Sequence, residues 1–591
     1  MEGPASAIGR FVRDQPAEAA ARLRAVLADD PRNAEAWRLL ARALRRLGTD
    51  DEAAEAEIAA VRATAFEPEM IAIAGAMRAG DLPQAEALLR RRLAAEPLDV
   101  AAIRLMAELA ARIGRPKDAE TLLRRALELA PGFTAARANL ALLLYRQSRF
   151  AEAVGELDRV LESGAADPAN RNLMAVALGR IGDYDEALRL YEELTPVFPD
   201  HAKLWMSYGH ILKTVGRQDD SVAAYRHALA VKPDLGEAWW SLANLKTVRF
   251  GEGDVAAMEA ALTGEPEPER EDRLHLHFAL GKAWGERGEP EASFRHFAAG
   301  NALRNEELGH DPDALAAQVD SVIATLTPAF LAERADWGDP SPDPIFILGL
   351  PRAGSTLIEQ ILACHSQIEG TMELPDIPLL AAREAHAAGF GVRDWPQAAA
   401  TMAPDRLAAL GAEYLERTRV QRRTAAPFFI DKLPNNWAYA GFIKLILPNA
   451  RIVDARRHPL DCCFSNFRQN FAKGQGFTYD LAHIGRYYAD YVRAMAHYDR
   501  VMPVAVHRVI HERLLDDPEG EVRALLDYLE LPFEEACLEF HRSERAVRTA
   551  SSEQVRRPIN RDGVGQWVAF EPWLGPLNDA LGDLPETYAE R

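Results

Sequence analysis

Ile345-Phe346-Ile347-Leu348-Gly349-Leu350-Pro351-Arg352-Ala353-Gly354-Ser355-Thr356-Leu357-Ile358-Glu359-Gln360-Ile361-Leu362 decides how the second half of the chain folds. It opens with a short apolar run rich in β-branched and aromatic residues. A glycine-containing loop follows, and apolar residues then recur at helical spacing. Strand, glycine loop and helix in this order bring backbone N–H groups and the positive end of a helix to one anion. Gly349 and Gly354 keep the spacing of the triphosphatase loop G-x-x-x-x-G-K-[ST], but Ser355 stands where that loop has lysine. The positive charge is Arg352, inside the loop. A triphosphatase would lose its contact to the terminal phosphates here. The loop is therefore expected to grip an anionic donor without a triphosphate tail.

C-terminal to this loop the same logic repeats. Arg451-Ile-Val-Asp-Ala455 reads as a strand, Arg456-Arg457-His458-Pro459 ends it, and Leu460-Asp-Cys-Cys-Phe-Ser465 reads as a helix. Arg457 at the strand end and Ser465 two turns into the helix are candidates to grip a second phosphate. Before the loop, Asp336-Trp-Gly-Asp-Pro-Ser-Pro-Asp-Pro344 is a proline-rich linker.

The first half is a repeat array. Ala85, Ala119, Ala153, Ala187 and Ser221 lie 34 residues apart, with Ala53 32 before Ala85. Pro97 and Pro131 share the 34-residue beat, as do Pro199 and Pro233. In each block a helix, a Gly or polar turn and a second helix run up to a proline, which cannot continue the helix. The small residue at the fixed position lets the two helices approach closely. A degenerate copy is read at Leu276–Asn301. Arrays of this kind stack into a superhelix with a concave face that can hold a peptide; a scaffold or dimerisation role is the alternative.

Composition sets outer limits. The chain has 591 residues, 48% hydrophobic and 27% charged, with a net charge of −20, which excludes a nucleic-acid binder built on a basic surface. Cys364, Cys462, Cys463 and Cys537 form no CxxC pair, so neither a disulfide framework nor a zinc site is expected. No apolar stretch reaches membrane-spanning length, and the opening residues lack the apolar core of a signal peptide. A cytoplasmic protein without metal or membrane association is the expectation.

Two resemblances follow from these motifs. Trp37, Leu40 and Ala41, with the 34-residue beat, resemble the tetratricopeptide family over about residues 16–250. The loop and the later strand-Arg-x-Pro-x-Asp-x₃-Ser unit resemble the sulfotransferase superfamily over about residues 343–575. Within it the chain is similar to the protein-tyrosine sulfotransferases. Glu373 follows Arg352 at their 21-residue distance in Gly370-Thr-Met-Glu373, Asp431-Lys432-Leu433-Pro434 matches their Asn/Asp-Lys-x-Pro, and Ser551-Ser-Glu-Gln-Val-Arg-Arg557-Pro-Ile-Asn560, then Trp567, matches their late motif. The chain departs in having Gly354-Ser-Thr356 for Gly-Thr-Thr, His511 for a tyrosine and Arg557 for a lysine.

The resemblance implies an all-α tetratricopeptide-repeat solenoid followed by an α/β P-loop-like domain with a central parallel sheet. The expected parts are a flexible terminus at 1–15, the array at 16–250, a helical extension at 251–335 and a sulfotransferase domain at 336–591. The implied donor is 3′-phosphoadenosine-5′-phosphosulfate (PAPS), held by Arg352, Ala353, Gly354, Ser355, Thr356, Arg457, Ser465, His511 and Arg557. A tyrosine hydroxyl, with pKa about 10, needs a base, and Glu373 is the candidate, with Glu369 its neighbour and competitor. Lys432 and Ser551 are assigned to the leaving phosphate oxygen. The acceptor is expected to be a tyrosine of a protein or peptide brought by the repeats. A glycan or small molecule is the alternative acceptor. A P-loop kinase and a non-enzymatic scaffold are weaker readings.

Overall fold

The computed structural model describes residues 11–164, 167–245, 248–471, 474–543 and 554–590. They form two compact units, divided between Phe198 and Pro199.

The first unit is a run of helical hairpins, from Pro16–Asp29 and Ala34–Leu47 to Pro168–Ile181 and Tyr184–Val197. The beat read from the alanines is written into the backbone. Gly48, Gly80, Gly114, Ser148 and Gly182 have φ of +76°, +75°, +76°, +62° and +85°, each turning the chain between paired helices. Only glycine takes this conformation without cost, and Ser148 accepts a small penalty to hold it. Ala53, Ala85, Ala119, Ala153 and Ala187 are all fully buried, where the helices cross. Blocks also close on their own prolines: Trp37 Nε1 donates to Pro31 O at 2.9 Å and Arg137 Nη2 to Pro131 O at 2.8 Å. The buried apolar residues form separate patches, one over Val12–Ala56, one over Met70–Leu109 and one over Val100–Ala153. That is the packing expected of a quasi-one-dimensional stack.

The second unit continues the same grammar before changing it. Hairpin Ala202–Val215/Gln218–Val231 turns at Gly216, φ +87°, and Trp205 and Trp239 donate from Nε1 to Pro199 O and Pro233 O, both at 2.9 Å. Hairpin Arg270–Glu286/Pro290–Leu308 is built alike. Ser293 Oγ donates to Gly281 O at 2.5 Å as Ser221 Oγ does to Gly209 O at 2.9 Å. In both, a ring (Tyr225, Phe297) fills the space that a Cβ on the glycine would need.

Behind these helices lies a five-stranded, all-parallel sheet in the order β2-β3-β1-β4-β5. Its strands are β1 (Pro344–Gly349), β2 (Ile368–Gly370), β3 (Phe428–Lys432), β4 (Arg451–Arg456) and β5 (Val506–Ile510). β1 is buried at every residue, as a central parallel strand covered on both faces must be. The chain leaves β1 towards β2 on one side and crosses to β4 on the other. The carboxyl ends of β1 and β4 therefore flank the crevice where such sheets bind ligands.

One apolar core runs from Ala202 and Met206 through Trp239, Trp240 and Phe278 to the sheet and on to Leu584. Gly236 N donates to Asp272 Oδ1 at 2.9 Å, and Trp240 lies 5.4 Å from Phe278. The compact division therefore falls at Pro199, earlier than the end of the 34-residue beat. Residues 199–591 are expected to fold alone, whereas a fragment starting at 251 should be insoluble or melt far lower. It would lose Trp239 and Trp240, each worth about 3–5 kcal/mol on truncation, against about 5–15 kcal/mol for a whole domain. Thermal melts of the two fragments check this.

Candidate active site

β1 ends in Gly349, φ +137°, because a Cβ there would sit 2.3 Å from Ala455 O of β4. The loop then rises to Gly354, φ +99°, where a Cβ would meet His511 Nδ1 at 2.8 Å. Helix Ser355–Leu362 starts at once, with Ser355 and Thr356 buried at its N-terminus. Between the glycines Arg352 holds a left-handed φ of +69°. This costs an arginine about 1–2 kcal/mol and needs support. Asn466 Nδ2 donates to Pro351 O at 2.7 Å, Cys462 Sγ to the same oxygen at 3.5 Å, and Arg457 Nη1 to Arg352 O at 3.1 Å. The helix after β4 thus braces the loop after β1.

Arg457 is itself placed by a buried polar network. Arg456 Nη2 donates to Asp454 Oδ2 at 2.9 Å, Arg456 Nε to Tyr491 Oη at 3.1 Å, and Arg508 Nε to Asp454 Oδ2 at 3.1 Å. Tyr491 Oη donates to Asp454 Oδ1, and Tyr488 Oη to Arg457 O at 2.8 Å. Arg456 and Asp454 are fully buried and mutually compensated, as buried charges must be. The next residue, Arg457, turns into the crevice instead. Its Nη2 donates to Gly563 O, and among the described residues its buried Nε has no hydrogen-bond partner.

Arg352, Gly354, Ser355, Thr356, Arg457, His511 and Arg557 line one cleft of about 700 Å³ including its mouth. Burial, and then repulsion from Arg457 and Arg468, lowers the Arg352 guanidinium to about 10. Burial and Arg457 lower Arg468 equally, to about 10. The Arg468 Nε is another buried donor with no partner among the described residues. Arg352, Arg457 and Arg468 repel one another here, and the Asp461 carboxylate, 3.9 Å from Arg457 Nη2, offsets only part of that charge; the excess suits an anion. Burial and Arg457 push His511 down to about 3, so its imidazole is neutral beside Gly354. Arg557 is exposed at the mouth and pairs with Asp562 at 3.4 Å.

Sequence reading paired Ser465 with Arg457; the structure places its Oγ as acceptor from Arg352 Nε at 3.1 Å. Ala353 is buried beneath the loop. Glu373 and Lys432 stand apart from the cleft lining as a direct pair, Nζ to Oε1 2.5 Å. Lys432 ends β3, beside β1, with its side chain 2% exposed, whereas that of Glu373 is 48% exposed. Glu359, buried on the phosphate-loop helix, lies 4.0 Å from Lys432 Nζ. Glu369 is committed elsewhere: it is buried, and its Oε1 accepts from the N–H groups of Arg423 and Thr424. Ser551 lies outside the described residues. Arg468 carried no motif, and only its place beside Arg457 in the fold reveals it.

Among the described residues no group of three or more His, Cys, Asp or Glu could hold a metal ion, and no helix is long and apolar enough to cross a membrane. The glycine loop and cationic crevice form a site suited to an anion of more than one charge. Residues 344–535 match the sulfotransferase family, and stretches within residues 7–235 match tetratricopeptide repeats, so the chain carries a sulfotransferase-family domain together with such repeats. It is 30% identical over 402 residues to an uncharacterized protein of Aquifex aeolicus, covering 67% of this chain and 52% of that one. It is 23% identical over 260 residues to the protein-tyrosine sulfotransferase of Drosophila melanogaster, covering 41% and 52%. The chain thus spans about half the length of these curated relatives. The sulfotransferase domain of the Synechococcus PCC 7002 olefin synthase aligns at 22% identity and TM-score 0.33, covering 43% of this chain and 96% of that one.

Proposed function

We propose that the chain moves a sulfuryl group from PAPS to a tyrosine hydroxyl of a protein or peptide that the repeats recruit. The observation that carries this is the convergence of Arg352, Arg457 and Arg468 at the end of the glycine loop. The loop backbone and Arg352 receive the 5′-phosphosulfate; Arg457, whose Nε has no partner among the described residues, receives the 3′-phosphate. Arg468 adds charge behind them, and Arg557 closes the mouth. The orphaned buried donors fit an anionic ligand, since a buried N–H without an acceptor costs about 1–3 kcal/mol.

In the transfer, the bond between sulfur and the bridging phosphate oxygen breaks and a bond from sulfur to the acceptor oxygen forms. The acceptor proton passes to Glu373, and adenosine 3′,5′-bisphosphate leaves. The ion pair couples these events. Once Glu373 takes the proton it no longer neutralises Lys432, whose charge then serves the developing negative charge on the leaving oxygen. Ser551 supplies a hydroxyl there. No metal takes part in this scheme. We place the reaction in the cytoplasm, where the buried thiols of Cys462 and Cys537, both pushed up to about 12 by burial, stay reduced.

Sulfate-labelled donor offered with separate tyrosine-peptide, glycan and small-molecule acceptors tests the reading. Label on the peptide is expected. Label only on the glycan or small molecule would move the acceptor assignment, and a protein that does not bind adenosine 3′,5′-bisphosphate would end the sulfotransferase reading.

A further inference from the structure

Val555, Arg557, Pro558, Ile559, Asn560 and Gly563 all line the cleft, so a single stretch of chain forms one of its walls. Its far end is fastened to the β4 helix. Arg457 donates to Gly563 O, Gly565 N donates to Asp461 Oδ2 at 3.0 Å, and Trp567 stacks on His458 with centroids 6.2 Å apart. Its near end is fastened to a repeat. Arg556 Nη2 donates to Thr214 O at 3.4 Å. Thr214 belongs to the last turn of helix Ala202–Val215, where unsatisfied carbonyls and the negative end of the helix dipole attract a cation.

The turn beside it is fitted to this contact. A Cβ at the equivalent turn glycines Gly48, Gly80 and Gly114 would meet nothing within 4 Å. At Gly216 it would lie 2.8 Å from Arg556 Cζ and 3.0 Å from both terminal nitrogens. One turn of the repeat ladder thus keeps its surface clear for a guanidinium that arrives from the cleft wall.

We propose that the repeat hairpin Ala202–Val231 is a working part of the donor site, with Arg556 the positioning residue that ties the 555–563 wall to it. This rests on the reading of the cleft as the donor site. Arg556 touches no reacting atom; it acts by holding its neighbours Val555 and Arg557 in place. Without the anchor, the ligand must order the wall as it binds, and affinity falls. A partner that engages this end of the hairpin therefore acts on donor affinity.

The full chain is compared with Arg556→Ala, Arg556→Lys, Gly216→Ala and the Arg556→Ala/Gly216→Ala double variant. Calorimetry reads adenosine 3′,5′-bisphosphate affinity, and hydrogen exchange reads the backbone amides of 555–563. Each alanine variant is expected to weaken binding about tenfold and to speed exchange. The double variant should bind the nucleotide no worse than Gly216→Ala alone, because that alanine already cuts the Arg556 contact; its strain at φ +87° lowers stability alike in both. Arg556→Lys should recover part of the loss, and donor KM should rise with kcat near that of the unaltered chain. Unchanged exchange and affinity in Arg556→Ala, or losses that add in the double variant, would overturn the proposal. If the unaltered chain does not bind the nucleotide, the sulfotransferase reading fails, and the exchange rates alone still decide whether the anchor exists.

Discussion

Glu373→Gln is expected to lower kcat on the true acceptor by about 10²–10⁴-fold, the usual contribution of a positioned base, while adenosine 3′,5′-bisphosphate binds within about threefold of normal. The expectation follows from where the carboxylate lies. Glu373 is half exposed on the loop after β2, outside the cleft lining, so the nucleotide does not depend on it. Glutamine keeps the shape and accepts a hydrogen bond from Lys432, but it takes no proton. The variant also removes the closer of two carboxylates from Lys432 and leaves Glu359 at 4.0 Å, so the loss should appear in turnover and not in folding. Steady-state kinetics with a calorimetric control for nucleotide binding makes the measurement. A variant with near-normal kcat would place the base elsewhere; Glu369 is a poor substitute, since its carboxylate is occupied by two backbone N–H groups.

Arg457→Ala is expected to weaken adenosine 3′,5′-bisphosphate by about 10–150-fold, the equivalent of one charge-assisted contact of about 1.5–3 kcal/mol. Two effects add in the same direction. The phosphate loses its guanidinium, and Pro351–Arg352 loses the brace from Arg457 Nη1. Arg457→Lys should fall between the two, keeping the charge and losing the fork. Equal calorimetric affinities for the unaltered chain and Arg457→Ala would remove the second phosphate from this end of β4.

The fold was legible wherever local sequence dictates local structure. The run Ile345–Leu348, the two loop glycines and the apolar spacing of the next helix give strand, turn and helix in the observed order. The strand read at Arg451–Ala455 extends one residue further, to Arg456, because that residue still pairs with Ile510 of β5. The three-residue β2 is too short to show any alternation. The division at Pro199 was illegible for a different reason. A 34-residue beat reports how each hairpin closes on itself, and Trp205 and Trp239 close theirs as Trp37 does. It does not report which hairpins bury a second face against the sheet. The same holds for Ser465 and Arg468: spacing brought the serine to the site, but only packing shows that it faces Arg352 and that a third arginine stands behind.

The difference in how the two units are filled governs how far damage travels. In residues 11–198 the apolar interior is broken into patches, so a lesion in one block is felt by that block and its neighbours and then dies out. From Pro199 onward the same kind of block shares a continuous interior with the strands that carry the anion loop. A substitution at Trp239 or Leu242 there is a lesion in the body that holds the candidate site. Neutral drift should therefore collect in the front of the array, while the last repeats, identical in grammar, change as slowly as the active site does.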